Sequence, residues 1–320
     1  MRKISKGVIK QKFLLGKGMI SDDTEHALIT ARALMDARGD VAVFEKGLAR
    51  RLKRWLLAMA PGVGKATLIS IISMWFRPPD RCGRPSAGNG PLMRAPLIGI
   101  YFQEDQKLRD DFVKASTRMT HRDPRALLMA AGIADIVAIS SVKPLGWLQM
   151  SKVFRQAAKR LSNPYDKEHL QELFTLLDHL DDAQNLGIGL DTALSVIGCE
   201  KGVDGYVYRS ALACAYVAGT HQSAAESTNT IILQGGDTDS TAALTAALCA
   251  ASGQYFPLES MKTLRDWPVS QEYLEQHADW LASNYDCQIE EPTYIKQLGR
   301  NIVLFWVAVF HIGRSWLPPY

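Results

Sequence analysis

Hardly any segment of this 320-residue chain alternates apolar and polar residues with the period of two that a half-buried strand requires. Spacings of three and four recur instead. Ala27, Leu28, Ala31, Leu34 and Met35 fall on one helical face, residues 40–76 read as one or two helices, and 125–142 is an Ala/Ile/Leu run of helical character. Asn163-Pro164 opens a further helix with Leu170, Leu173, Phe174, Leu177 and Leu180 on one side, leaving Glu168, Glu172, Asp178, Asp181 and Asp182 as its solvated face. Residues 211–218, 241–251 and 273–282 add others. The closing stretch 302–310 is too short for a membrane span and ends in His311 and Arg314, so a buried helix or a strand-like tail is expected. No internal repeat of 20–50 residues is visible. An all-α architecture in a single domain spanning 1–320 follows.

A hydrophobic content of 47% with 22% charged residues supports a sizeable core. The net charge of +4 carries no long basic block, which speaks against nucleic acid and membrane surfaces as partners. Five cysteines, Cys82, Cys199, Cys214, Cys249 and Cys287, are odd in number and lack C-x-x-C spacing. They read as reduced, mostly buried thiols of a cytoplasmic protein. The first ten residues are basic but lack the apolar core of a signal peptide.

Two stretches carry chemistry. Gly235-Gly236-Asp237-Thr238-Asp239-Ser240-Thr241 precedes a run of small residues at 242–251, so two carboxylates and a hydroxyl sit where a loop feeds a helix. Gly235 and Gly236 free the backbone to turn tightly. Ser21-Asp22-Asp23-Thr24-Glu25-His26 repeats the theme ahead of another helix. Such hard-oxygen clusters suit Mg²⁺, Mn²⁺ or Ca²⁺. The plainer alternative is helix capping, with Asp22 and Glu25 spaced as a capping box and the Asp residues of the second stretch solvated. Ala60-Pro61-Gly62-Val63-Gly64-Lys65-Ala66-Thr67 has the flavour of a P-loop, but Met59 stands where the first glycine belongs and Ala66 replaces the hydroxyl. A turn between helices is expected there. Residues 77–94 are a long irregular loop rich in Gly, Pro, Arg and Ser, a type of segment that is often functional.

Taken together, the two acidic stretches resemble the paired metal motifs of the ADP-ribosylglycohydrolase family, which includes dinitrogenase-reductase-activating and ADP-ribosyl-arginine or -serine hydrolases. Ser86-Ala87-Gly88-Asn89-Gly90-Pro91-Leu92-Met93-Arg94-Ala95-Pro96-Leu97 is similar to that family's G-N-G-x-x-M-R-x-x-P-L segment, and Thr120-His121-Arg122-Asp123-Pro124 to its T-H-x-D-P element. Gly205-Tyr206-Val207 before an Ala-rich helix stands in family order. Residues 1–20 depart from the pattern, with nothing matching the family's opening G-D-A-x-G helix or the acid that follows it; the start is read as atypical or truncated.

The resemblance implies a multi-helical orthogonal globule and a binuclear Mg²⁺ or Mn²⁺ site. Ser21, Asp22, Asp23 and Asp239 would hold one ion, and Asp237, Asp239 and Ser240 the other, with Asp239 bridging. It places ADP-ribose against Asn89, Gly90, Arg94, His121, Gly235 and Gly236. His121 could equally be a helix cap or a structural residue. The implied reaction is hydrolysis of the glycosidic bond between ADP-ribose and a protein side chain, arginine foremost, on an ADP-ribosylated protein or ADP-ribosyl-amino acid. With the upstream acid unmatched, Asp22, Asp23 or Asp237 would serve as base. The alternatives are a catalytically silent ADP-ribose-binding protein and an immunity-type partner of an ADP-ribosyltransferase toxin.

Overall fold

Fourteen α-helices form among the residues that the computed structural model describes, 18–221, 223–256, 264–283 and 289–315. They are α1 Asp22–Ala37, α2 Val41–Leu57, α3 Lys65–Ser73, α4 Ala95–Tyr101, α5 Gln106–Arg118, α6 Pro124–Ser140 and α7 Trp147–Leu161. Then follow α8 Lys167–Asn185, α9 Leu190–Ser195, α10 Val207–Thr220, α11 Ala224–Gln234, α12 Thr238–Ala251, α13 Gln271–Ser283 and α14 Tyr294–Ser315. Two 3₁₀ turns, Pro79–Arg81 and Gly90–Met93, punctuate the irregular loop. Extended pairing among the described residues is limited to isolated bridges, and the all-α expectation holds.

Helix α6 is the axis of the core. Apolar on every side, it is buried along nearly its whole length and packs against α4, α5, α7, α10 and α12. Small residues set the approach. A Cβ on Gly99 would lie 2.4 Å from the Ala134 carbonyl, and one on Gly132 would lie 2.3 Å from the Phe154 ring. Buried charges in this region are paired. Arg109 donates to Asp135 at 2.7 Å, and Arg160 bridges Asp135 and Asp110 at 2.7 and 2.8 Å.

Two expectations change. On α8, Leu173, Leu177 and Leu180 are fully buried, but its acidic face is only partly free. Asp178 and Asp181 accept from Arg155, and Glu172 accepts from Tyr206. The 302–310 stretch is helical but only Leu304 is buried among its described side chains, with Ile302, Phe305 and Trp306 turned outward. The reason lies one turn earlier, where the polar pair Arg300-Asn301 faces inward. Arg300 donates to the Ile20 carbonyl and to Asp266, and Asn301 donates to the Ala58 carbonyl. Satisfying those groups fixes the rotation of α14 and leaves its apolar side outside.

Cys82, Cys199, Cys214 and Cys249 are buried free thiols, while Cys287 lies outside the described residues. Among the described residues no helix is long and apolar enough to cross a membrane.

Candidate active site

The first turns of α1 and α12 bring the two acidic stretches together. Carboxylate oxygens of Asp22, Asp23 and Asp239 lie within 4.8 Å of one another. Capping does not account for them. Ser21 and Asp237 occupy the N-cap positions, and neither makes a side-chain capping bond. Glu25, the proposed partner of a capping box, instead accepts from Arg300 at 3.1 Å and from the Trp55 indole at 2.7 Å.

The hydroxyls turn toward the carboxylates. Ser21 and Ser240 both donate to Asp23 Oδ2, at 3.0 and 3.4 Å, and Asn89 donates to Asp237 Oδ2 at 2.7 Å. These described bonds of the cluster come from neutral groups, with no lysine or arginine among them. Burial, reinforced by Asp23 and Asp239, pushes the Asp22 carboxyl up to about 8. Burial also raises Asp23 to about 6, with Asp239 and Asp237 adding to it. Asp237 is raised as well, chiefly by burial. Concentrated, uncompensated carboxylate charge with hydroxyl neighbours is the donor set of a hard divalent cation, and the residues fit Mg²⁺ or Mn²⁺.

Backbone geometry explains the two glycines of the second stretch. Gly236 has φ +87°, and a Cβ there would lie 2.2 Å from the Val203 carbonyl. The Asp237 amide donates to that carbonyl at 2.8 Å, and the Val203 amide donates to Gly235 at 3.1 Å. Gly235 and Gly236 line neither cavity of the site; they aim Asp237 and Asp239.

A polar cavity of about 310 Å³ opens on the cluster. Asp22, Asp237 and Asp239 form one wall, and the Gly88-Asn89-Gly90 loop with His121 forms another. That loop is pinned by the Asn89 amide to Gly205 at 3.0 Å and lies directly over the imidazole. A Cβ on Gly90 would come 2.9 Å from His121 Cε1. His121 is buried beside Arg94, and burial foremost lowers it to about 3, so it is neutral.

The third wall is the segment that looked like a failed P-loop. Gly62, Gly64, Lys65 and Thr67 face the cavity, with the N-terminus of α3 beginning at Lys65. The turn between helices is there as expected, but it belongs to the site. A glycine pair ahead of a lysine at a helix start was the signal that could have marked it.

Arg94 stands apart from the other candidates, because it lines neither cavity and is fully buried. Its guanidinium donates to Ser116 Oγ, the Ser116 carbonyl and Thr120 Oγ1 at 2.8–3.1 Å, and to His26 Nδ1 at 3.2 Å. It is a brace beneath the site, tying the Asn89 loop to α1 and α5.

The second cavity, about 320 Å³, shares Asn89, Met93 and Ser240 with the first and touches Asp23. Its walls are aliphatic, built from Leu92, Leu97, Ala243, Leu244 and Ala247 among others.

Comparison with known proteins bears on family and fold. The profile of the ADP-ribosylglycohydrolase family matches residues 2–290. An uncharacterized protein of Archaeoglobus fulgidus is 24% identical over 270 residues, covering 82% of this chain and 80% of its own length. Among solved structures, an ADP-ribosylglycohydrolase-related protein complex superposes with a TM-score of 0.60 at 22% identity, over 82% of this chain and 80% of the other, a likeness of fold.

Proposed function

Since the chain belongs to the ADP-ribosylglycohydrolase family, we propose that it hydrolyses the glycosidic bond joining ADP-ribose to a modified side chain, with two divalent ions held by Asp22, Asp23, Asp237 and Asp239. The observation that carries this reading is the convergence of carboxylates from both acidic stretches at the mouth of a glycine-walled polar cavity. Bound there, Mg²⁺ or Mn²⁺ supplies a water of lowered pKa and ligand positions for ribose hydroxyls.

The chain's own residues do the rest. Ser21 and Ser240 hold the Asp23 carboxylate, and Asn89 holds Asp237, so both are oriented rather than free. Among the described residues Asp22 accepts no side-chain hydrogen bond of this kind, and it faces the cavity beside Gly62, 3.3 Å from where a Cβ would stand. It is the carboxylate suited to take the proton of the attacking water. Glu25 is unsuited to that role because Arg300 and Trp55 occupy it. The glycine backbones of the 62–64 and 88–90 segments, the α3 N-terminus and Lys65 suit the diphosphate, which needs close amide approach and positive charge. Oxocarbenium character develops at the anomeric carbon as the leaving group departs.

The test is release of ADP-ribose from a panel of ADP-ribosyl conjugates, arginine-linked and others, by the full chain with Mg²⁺ or Mn²⁺, beside calorimetric titration with free ADP-ribose. Turnover that chelator abolishes is expected. Binding of ADP-ribose without turnover would make the chain a reader of the modification, and neither binding nor turnover would remove the proposal.

A further inference from the structure

The aliphatic cavity has no part in the reading above, yet it meets the polar one at Asn89, Met93 and Ser240, with Asp23 on its rim. A glycosidic bond cut at the acidic cluster has two sides. The ADP-ribose side is dianionic and hydroxylated, and it matches the room holding Lys65, Thr67, Ser86 and the glycine amides. The other side needs its own space adjoining the same carboxylates. About 320 Å³ falls in the range of small-ligand sites and exceeds what one amino-acid side chain fills.

We propose that this second cavity receives the leaving group, and that the acceptor is a neutral, apolar or aromatic moiety rather than a guanidinium. The inference rests on the hydrolase reading and adds the acceptor class to it. Among the described residues the cavity presents no lysine, arginine or histidine, and Asp23 is its sole charged one. That carboxylate is 5% exposed and already accepts from two hydroxyls. Both hydroxyls occupy Asp23 Oδ2, so a guanidinium placed among Leu92, Leu97 and Leu244 would exchange full hydration for Asp23 Oδ1 and scattered hydroxyls, which is costly. An apolar group loses nothing and gains burial. In the reaction, water oxygen bonds to the anomeric carbon while the bond to the leaving atom breaks with its electron pair. One water proton ends on the leaving group.

Ala247 and Ala243 on α12 give the test, because both line this cavity and neither lines the polar one. Full-length wild type, Ala247→Phe and the milder Ala243→Val would be assayed with divalent ion on a phenyl-type ADP-ribosyl conjugate and on ADP-ribosyl-arginine. Thermal midpoints and the Kd for free ADP-ribose would be read alongside.

Wild type is expected to favour the phenyl conjugate in kcat/KM. Ala247→Phe should lower that value about tenfold or more, the scale on which hydrophobic pockets discriminate shape, with Ala243→Val showing a smaller loss should the larger variant fail to fold. The Kd for ADP-ribose should stay within about twofold, since the ADP-ribose room is untouched. Preference for the arginine conjugate, or unaltered hydrolysis by both folded variants, overturns the assignment while the hydrolase reading stands. Loss of ADP-ribose affinity in both variants also overturns it, because the cavity would then belong to the ADP-ribose side. Wild type inert on both conjugates removes the hydrolase reading, and the acceptor assignment with it.

Discussion

Asp239 sits where the two acidic stretches meet, within reach of Asp22 and Asp23 and two residues beyond Asp237. Asp239→Asn keeps the shape and removes a charge, so activity should fall by more than the roughly tenfold to hundredfold that loss of a supporting partner costs a metal site. Asp237→Asn should cost less, since Asn89 keeps it oriented for one ion. Ser240→Ala should cost least, because a neutral hydroxyl is the weaker ligand. Initial rates on a common substrate, with divalent-ion titrations, give the order; Asp239→Asn turning over like wild type would dissolve the two-ion assignment. Arg94 calls for a different measurement. Arg94→Met strands His26 Nδ1, Ser116 and Thr120 in a fully buried setting, and a loss of about 1–3 kcal/mol in denaturant unfolding is expected, the cost of leaving buried neutral polar groups unpaired. Wild-type stability in this variant would mean that the brace carries no weight.

At the scale of elements, helix existence was legible because the 3.6-residue period is a local property. Rotation was not: α14 faces its apolar side outward because Arg300 and Asn301 have partners on α1 and α2 and in the chain around them, contacts more than 200 residues distant in sequence. The same limit applied to the acidic stretches. Hydroxyl-acid runs at helix starts read equally as caps or ligands until the side chains are seen pointing at one another. Arg94 belonged to a motif whose neighbours line the cavity, yet its own side chain turns into the core. The α3 segment reads from sequence as a plain turn because its phosphate pattern is incomplete, although helix N-termini bind anions without that pattern. If α3 does so here, Lys65→Ala should weaken ADP-ribose by about tenfold in calorimetry, equivalent to roughly 1.4 kcal/mol; unchanged affinity would return Lys65 to the solvent. Gly236→Ala tests the other turn. A Cβ 2.2 Å from the Val203 carbonyl, at a φ that disfavours alanine, should cost more than about 1 kcal/mol and should lower divalent-ion affinity with it. A drop in stability alone would separate the turn from the site.

For the whole molecule, the acidic cluster links folding to pH and to metal. Asp22 and Asp23 have folded-state values of about 8 and about 6 against an ordinary 3.8, so the folded chain holds protons that the unfolded chain has released. A raised carboxylate value means that stability is greatest while the group is protonated and falls as pH climbs from the ordinary carboxylate value through the folded one. Without metal, the thermal midpoint should therefore decline as pH rises from 3.8 toward about 8, the contribution of Asp23 ending near 6 and that of Asp22 near 8. Mn²⁺ or Mg²⁺ competes with those protons. Its stabilisation should grow over the same window and reach about 2.7 kcal/mol once the ion stands at a hundred times its Kd. Thermal scans across this range, in chelator and in excess Mn²⁺, give two curves that diverge with rising pH. In the Asp22→Asn variant the chelator curve should flatten at its alkaline end, because the group with the highest value is gone. Parallel curves in wild type would mean that the carboxylates do not act together, and the two-ion site would fall before any substrate was tried.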